Sequence, residues 1–128
     1  MIFLRNILLV GCGGFAGAVL RYLAAVWVQQ WAQGTRFPVG TLAVNVTGCL
    51  VIGLLGGWAD HIEAFRAETR LVVFIGVLGG FTTFSSFGYE TMVLLRDGFA
   101  VAALANAGLQ LSLGMLAVWA GYTAASLL

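Results

Sequence analysis

Charged residues are scarce in this chain of 128 residues, which contains six Lys and Arg, five Asp and Glu, and one His. Only 9% of the sequence is charged, whereas 61% is hydrophobic and the mean hydropathy is +1.00. A soluble domain of this composition would have almost no solvated surface. The formal net charge of +1 gives no reason to expect nucleic acid as a partner. The composition therefore predicts an integral membrane protein.

The residue sets that carry catalysis are also missing from the sequence. It has no Ser/His/acid set, no phosphate loop and no acidic residue central in an apolar run. Cys12 and Cys49 lie in separate apolar runs without metal-type spacing, so we expect them to pack as small hydrophobic residues. Gly11–Ala16 fits a dinucleotide fingerprint, but no strand precedes it. We predict that the protein is not an enzyme and has no catalytic residues.

Four apolar runs are each long enough to cross a bilayer, which takes about 20 helical residues. We predict a single integral membrane domain, 1–128, of all-α class, with four transmembrane helices at 4–31, 39–59, 71–95 and 99–127. The first run continues past any signal-peptide length, so we expect a retained span. Gly13 and Gly17 lie four residues apart, as do Gly53 and Gly57, a spacing that favours close helix packing.

The third run contains a segment, Gly79–Phe87, that is poor in helix-favouring residues and rich in hydroxyls. Apolar sequence continues on both sides, Leu71–Leu78 and Tyr89–Leu95, but neither flank is long enough to span alone. The paired glycines weaken a helix, and hydroxyl groups can bond the backbone groups that are freed. We therefore predict a helix broken near its middle, a structure tolerated at membrane depth only against protein or water.

The arginines give almost no orientation signal. With four spans, Arg5, Arg66 and Arg70 lie on one side of the membrane and Arg36 and Arg96 on the other, three against two. Four thin helices also enclose very little, so we expect a homo-oligomer whose polar path lies between subunits. A chain that inserts both ways would form an antiparallel, dual-topology homodimer, in which two opposed breaks would meet and their carbonyls would suit a small hard cation.

Two polar residues inside the first two spans each have two interpretations. Arg21 either reaches the membrane surface along its flexible side chain or lines an aqueous vestibule that attracts anions. Asn45, which shares a helical face with Thr41 and Gly48, either bonds another helix or lines a permeation path.

The later spans carry further candidates. Phe84 and Phe87 share a helical face, as core aromatics usually do, but hydroxyls lie between them and the positive edge of a phenyl ring can face an anion. Asn106 and Gln110 lie one turn apart and form either a polar track or an interhelical ladder. A neutral lining of amides, hydroxyls and ring edges, without fixed negative charge, favours a small anion.

Three motifs resemble those of one known family, the Fluc (CrcB) fluoride channels. Gly13–Tyr22 (GGFAGAVLRY), Gly40–Asn45 (GTLAVN) and Gly79–Phe87 (GGFTTFSSF) are similar to its first, second and third helix signatures, in the same order. The resemblance covers essentially the whole chain. Ser86 stands where the family often has Thr, and Gly88 and Tyr89 stand where it often has small polar residues.

The resemblance implies a passive, fluoride-selective channel with two pores in an antiparallel dimer, in the bacterial inner (plasma) membrane as a multi-pass protein. It implies that the fluoride pore is lined by Phe84, Phe87, Asn45, Thr41, Ser85, Ser86, Asn106 and Gln110. By the same matching, the backbone carbonyls of Gly79 and Thr82 from both subunits hold a structural Na⁺, and Arg21 lies at the aqueous vestibule. The implied partners are fluoride, membrane lipid and a second copy of the chain.

Two alternatives remain from the residues themselves. A small dual-topology, proton-coupled drug exporter would have a similar size and charge balance, but it needs a carboxylate at membrane depth, for which Glu90 is the one candidate. A non-transporting scaffold subunit would show no fluoride efflux when reconstituted.

Overall fold

The computed structural model describes residues 1–62 and 66–127, and every secondary-structure element in this part of the chain is a helix. In chain order the elements are α1 (Ile2–Trp31), α2 (Val39–Ile62), α3 (Ala67–Arg70), a π-helical stretch (Leu71–Leu78), α4 (Gly79–Phe81), α5 (Phe84–Arg96) and α6 (Ala100–Ala125). The predicted all-α class is confirmed.

Four helical stretches within the described residues are long and apolar enough to span a bilayer. They are Ile2–Trp31, Val39–Asp60, Ala67–Arg96 and Ala100–Ala125. The third begins four residues before the predicted 71, because Ala67–Arg70 adds a charged helical turn that hydropathy alone assigns to the connecting loop. Arg5 on α1 holds this turn through an ion pair of 3.0 Å with Glu68. Residues 63–65 of the predicted polar loop lie outside the described residues.

The outer faces of the helices are apolar and exposed. Phe15 is 75% exposed, Leu104 is 72% exposed and Trp119 is 67% exposed, whereas the few buried apolar side chains include Val44 and Leu94. Such a surface is unfavourable in water and compatible with lipid. The four spans therefore form a multi-pass membrane protein.

The first span packs mainly against the first half of the third span. A Cβ atom added at Gly13 would lie 2.5 Å from the Val72 carbonyl oxygen, and one added at Gly80 would lie 2.6 Å from the Gly14 carbonyl oxygen. These backbones approach one another as closely as they do because the side chains between them are absent. The predicted close packing of α1 therefore occurs, and its partner is the third span.

The second span packs mainly against α6. A Cβ atom at Gly53 would contact the Val118 carbonyl, and one at Gly57 would lie 2.8 Å from the Tyr122 carbonyl oxygen. Two closely packed pairs thus make up the molecule, α1 with the first half of the third span and α2 with α6. The second half of the third span, α5, lies against α6.

The third span opens at Thr82 and Thr83, inside the predicted segment Gly79–Phe87. Both residues are extended, with φ and ψ of −84° and 156° for Thr82 and −150° and 117° for Thr83. The paired glycines do not themselves break the helix, because Gly79 and Gly80 lie within α4. Instead, Gly80 lets α1 approach. The π-helical stretch before the break was not predicted from the sequence.

Candidate functional site

Asn45 holds the break open from α2. Its Oδ1 accepts a hydrogen bond of 2.8 Å from the Thr83 backbone N–H, and its Nδ2 donates one of 3.0 Å to the Thr83 carbonyl. One carboxamide therefore pairs with both backbone groups of the same extended residue, as a neighbouring strand would. Buried backbone groups that lack partners are costly at membrane depth, so this pairing makes the extended conformation stable there.

The position of Asn45 depends on Gly48, one turn further along α2. A Cβ atom at Gly48 would contact Cγ2 of Thr82 and would lie 3.4 Å from the Phe81 ring. The absence of that atom lets α2 approach the interrupted segment closely. The predicted shared face of Asn45 and Gly48 is therefore the face that meets the break.

Thr83 starts the second half of the third span. Its side-chain oxygen accepts a hydrogen bond of 3.2 Å from the Ser86 backbone N–H, which is an N-cap of α5. The Thr83 hydroxyl also donates to Ser86 Oγ at 3.0 Å and lies 3.4 Å from Ser85 Oγ. Hydroxyls thus bond freed backbone groups at the break, as predicted for this segment, and Ser85 and Ser86 lie beside the cap.

A mostly apolar groove of 430 Å³ runs along the interruption; we call it the break groove. Residues that line it include Asn45, Gly79, Thr82, Thr83, Phe84, Phe87 and Gln110. The Phe84 and Phe87 rings meet edge to face, with centroids 5.4 Å apart and an interplanar angle of 63°. Phe84 is 83% exposed, so this pair does not pack as an internal core of the single chain.

Gln110 on α6 is hydrogen-bonded to Asn45. Asn45 Nδ2 donates a second hydrogen bond of 3.0 Å to Gln110 Oε1. The Gln110 Nε2 atom is buried and has no hydrogen-bond partner among the described residues. A donor without a partner beside the break groove is available to an acceptor or an anion.

Thr41 is buried away from the break groove, one turn before Asn45. Its hydroxyl donates a hydrogen bond of 2.7 Å to Glu90 Oε1, and it is 8% exposed. The second carboxylate oxygen of Glu90, Oε2, is buried without a partner in the described part of the chain. Thr41 and Glu90 therefore join α2 to α5 on the side nearer the end of the third span.

Asn106 is fully buried, with 0% of its side chain exposed, and it does not line the break groove. Its Nδ2 donates a hydrogen bond of 2.9 Å to Thr91 Oγ1, and Thr91 in turn donates one of 2.7 Å to the Phe87 carbonyl. Asn106 and Gln110, one turn apart on α6, thus reach two different parts of the third span.

Arg21 is half-buried on α1, and none of the ion pairs between described side chains includes it. One turn before Arg21, α1 packs at Gly17 against the backbone of Val77 in the third span. One turn after Arg21, the carbonyl of Ala25 packs against Gly40 at the start of α2. The structure therefore places Arg21 away from the break groove, at a level between the break and the link that precedes α2.

Two backbone carbonyls at the interruption lose their usual helical partners. The N–H four residues after Gly79 belongs to Thr83 and donates to Asn45, while the N–H four residues after Thr82 belongs to Ser86 and donates to the Thr83 hydroxyl. The diversion leaves the Gly79 and Thr82 oxygens able to accept from, or coordinate, another group.

Sequence reasoning missed two partners at this site. Thr91 carries no signal of its own, because a single threonine in a helix usually bonds the preceding turn. The Thr83 backbone was not identified as the partner of Asn45. Both the amide on α2 and the interrupted third span nevertheless need hydrogen-bond partners within the membrane. These partners lie 15 and 38 residues away from Asn106 and Asn45, so no local pattern connects them.

Comparison with known proteins supports the resemblance found in the motifs. Residues 8–122 match the family described as CrcB-like protein, Camphor Resistance (CrcB). A protein of Rhizobium meliloti (strain 1021) named fluoride-specific ion channel FluC is 47% identical over 118 residues, 92% of this chain and 94% of its own length.

Two further relatives carry the same kind of name. FluC of Pseudomonas fluorescens (strain SBW25) is 43% identical over 118 residues, 91% of this chain and 94% of the relative. FluC 3 of Methanosarcina barkeri (strain Fusaro / DSM 804) is 42% identical over 120 residues, 94% of this chain and 89% of the relative. The names describe ion channels, which confirms the prediction that the protein is not an enzyme. On the family match and these identities, the chain belongs to the CrcB family.

Proposed function

We propose that this protein is a fluoride-selective ion channel through which cytoplasmic fluoride leaves the cell passively. The relatives named fluoride-specific ion channel FluC, at 40–47% identity, support this proposal. A negative-inside membrane potential would assist the exit of an anion by about 2.3 kcal/mol per charge per 100 mV. No coupled ion or energy source is therefore needed.

The observation that carries the proposal is the composition of the break groove. Amide groups of Asn45 and Gln110 lie beside two phenyl rings, and none of the described lining residues carries a carboxylate. The Gln110 Nε2 group, which has no partner among the described residues, and the positive edges of the phenyl rings can replace the water around a small anion without a fixed positive charge that would trap it. A neutral lining of this kind, narrowed by a second copy of the chain, would select fluoride over chloride.

Six of the proposed pore residues fall into two groups. Phe84, Phe87, Gln110 and Asn45 would contact the ion, since they line the break groove, and Asn45 would do so by exchanging its bond to Gln110 for one to the ion. Ser85 and Ser86 would supply hydroxyls beside the Thr83 cap. Thr41 would act at the level of Glu90, where its hydroxyl is engaged, and Asn106 would act from behind the groove.

The proposed assembly is an antiparallel, dual-topology homodimer with two pores. Support comes from the groove itself, which is open along the surface of one chain and displays an aromatic side chain that is 83% exposed. A second copy, inserted upside down, would cover the groove with its own interrupted span. We place the dimer in the bacterial inner membrane, with lipid around its apolar outer faces.

A structural Na⁺ at the centre of this dimer fits the donors that are present. The Gly79 and Thr82 carbonyl oxygens have their usual N–H donors diverted to Asn45 and to Thr83 Oγ1, and neutral carbonyl oxygens suit a hard cation. When bound, Na⁺ would supply fixed positive charge between the subunits. Arg21 would add positive charge at the aqueous vestibule, drawing anions towards the pore.

The test is anion efflux from liposomes reconstituted with the purified protein, with fluoride measured beside chloride. We expect fluoride efflux from the wild type to be at least a hundredfold faster than chloride efflux. Phe84→Ile is expected to lower fluoride efflux at least tenfold, because it replaces a ring edge with aliphatic hydrogens. Phe3→Ile is the matched control, since Phe3 is 78% exposed in the first turn of α1. Wild-type liposomes that retain fluoride would refute the proposal.

Asn45→Asp tests the electrostatic part of the lining in the same assay. It keeps an acceptor for the Thr83 N–H but removes the donors to the Thr83 carbonyl and to Gln110, and it adds negative charge. We expect loss of fluoride efflux, because like charge repels the anion. Efflux equal to that of the wild type would contradict a role for Asn45 in the path.

The alternative of a proton-coupled drug exporter is not favoured, since the relatives bear the name of a fluoride channel. Glu90 is nevertheless the decisive residue. An exporter would lose all transport in Glu90→Gln, whereas a fluoride channel needs no titrating carboxylate for coupling. Fluoride efflux that persists in Glu90→Gln and is independent of a proton gradient would exclude the exporter.

A further inference from the structure

Asn106 lies behind the break groove and touches none of it, yet it is bonded to the helix that carries the two phenylalanines. We propose that Asn106 is a positioning residue for fluoride permeation, which acts through Thr91 to fix the orientation of α5 and hence of Phe87. The inference rests on the proposed function, because it concerns the residues that would line the fluoride path.

Two successive hydrogen bonds link Asn106 to Phe87, and both donate towards Phe87. Asn106 Nδ2 donates to Thr91 Oγ1 at 2.9 Å, and Thr91 Oγ1 donates to the Phe87 carbonyl at 2.7 Å. A threonine hydroxyl has a single hydrogen. Because that hydrogen goes to Phe87, Thr91 can only accept from α6, and the carboxamide of Asn106 must present its NH₂ group.

The Asn106 carboxamide is completely buried. Asn106 is 0% exposed, and its Oδ1 is buried without a partner in the described ranges. An amide in that position carries the penalty of an unbonded acceptor, which a leucine of similar size would avoid. The bond to Thr91 therefore has a directional role that apolar packing between α5 and α6 would not supply.

The hydrogen bonds from Asn106 through Thr91 end at Phe87, whose ring lines the break groove. Phe87 receives the Thr91 hydroxyl at its backbone, and its ring lines the break groove in edge-to-face contact with Phe84. A rotation of α5 about its axis would move both rings together, because both lie on that helix. By tying the Phe87 turn to α6, the Asn106 bond fixes where the ring edges point.

Four variants separate this role from general packing. Thr91→Val removes the hydroxyl and keeps the shape, whereas Thr91→Ser keeps the hydroxyl. Asn106→Leu removes the donor from the other side. Ser112→Ala is the control on the same helix, because Ser112 is exposed and its hydroxyl bonds the Gly108 carbonyl within α6. Each variant is reconstituted in liposomes at equal protein amounts, and fluoride and chloride efflux are measured with the melting temperature.

We expect Thr91→Val and Asn106→Leu to reduce the fluoride-to-chloride efflux ratio at least tenfold. The double variant should be no worse than either single variant, because both remove the same link. Thr91→Ser should restore the ratio to within about twofold of the wild type, and Ser112→Ala should leave it unchanged. If Asn106→Leu does not fold, the comparison of Thr91→Val with Thr91→Ser decides the question alone.

Two results would overturn the inference. A lower melting temperature with an unchanged efflux ratio in Thr91→Val would make the link structural only. If Asn106→Leu lost fluoride efflux while Thr91→Val kept the wild-type efflux, Asn106 would contact the ion itself. Failure of the wild type to conduct fluoride would instead refute the proposed function, so the two failures are distinguishable.

Discussion

At the scale of single residues, Asn45 joins three parts of the structure. A carboxamide offers an acceptor and two donors within one rigid planar group, and Asn45 uses all three, on the Thr83 N–H, the Thr83 carbonyl and Gln110. The two interpretations of Asn45 from the sequence, interhelical bonding and lining of a path, are therefore compatible. Its bonds join α2, the break and α6, and its side chain also lines the break groove.

Asn45→Leu should destabilise the protein strongly. It leaves both backbone groups of Thr83 without a partner, at about 1–3 kcal/mol each. We expect a clear drop in the thermal unfolding temperature in detergent. Thr47→Val is the matched control, because Thr47 is an exposed hydroxyl residue on the same helix. Equal unfolding temperatures for the two variants would show that another group holds the break open.

At the scale of helices, glycines determine which spans meet. Gly13 and Gly80 let α1 pack on the first half of the third span, while Gly53 and Gly57 do the same for α2 and α6. A bilayer provides little hydrophobic drive for helices to associate, so close packing takes over that role. Of the paired glycines of the third span, Gly80 belongs to this system of contacts, whereas Gly79 lines the break groove.

Gly13→Ala and Gly11→Ala test the close packing on one helix. A Cβ atom at Gly13 would lie 2.5 Å from the Val72 carbonyl oxygen, whereas one at Gly11 meets nothing within 4 Å. We expect Gly13→Ala to cost about 1–3 kcal/mol through overpacking and Gly11→Ala to be neutral or stabilising, since alanine favours helix. Unfolding in increasing denaturant measures both. Equal midpoints would contradict the proposed contact.

At the scale of the whole molecule, the open groove and the balanced arginines point to the same proposal. One chain leaves Phe84 exposed beside the break, and its six arginines give little preference for either orientation. A second copy in the opposite orientation would cover Phe84, and balanced arginines would allow the chain to insert in both orientations. This dimer remains the proposal on which the count of two pores depends.

A reporter fused to the C-terminus should appear on both sides of the membrane in similar amounts. Removing Arg36 and Arg96 by substitution with glutamine changes the count from three against two to three against none. We expect that variant to insert in one orientation and to lose fluoride efflux when expressed alone. Arg66→Gln, which gives two against two, should keep mixed insertion. A wild type with a single orientation would refute the antiparallel dimer.

The predicted features that the structure reproduces are those set by local composition. Four spans follow from hydropathy and length, and an interruption between Gly79 and Phe87 follows from the scarcity of helix-favouring residues there. The detail within that segment was not predictable. The helix continues through Gly79 and Gly80 and opens at Thr82, because the partner that competes for the Thr83 backbone lies on another helix.

The sequence by itself determined that this is an all-helical membrane protein with a weakened third span and a neutral polar face, because apolar length and residue type act within one segment. Only the tertiary structure decided which polar groups work together. Asn45 pairs with Thr83, Thr41 with Glu90, and Asn106 with Thr91 rather than with the break groove. Each of these bonds joins residues on different helices, and its formation depends on how closely the glycine-lined backbones pack.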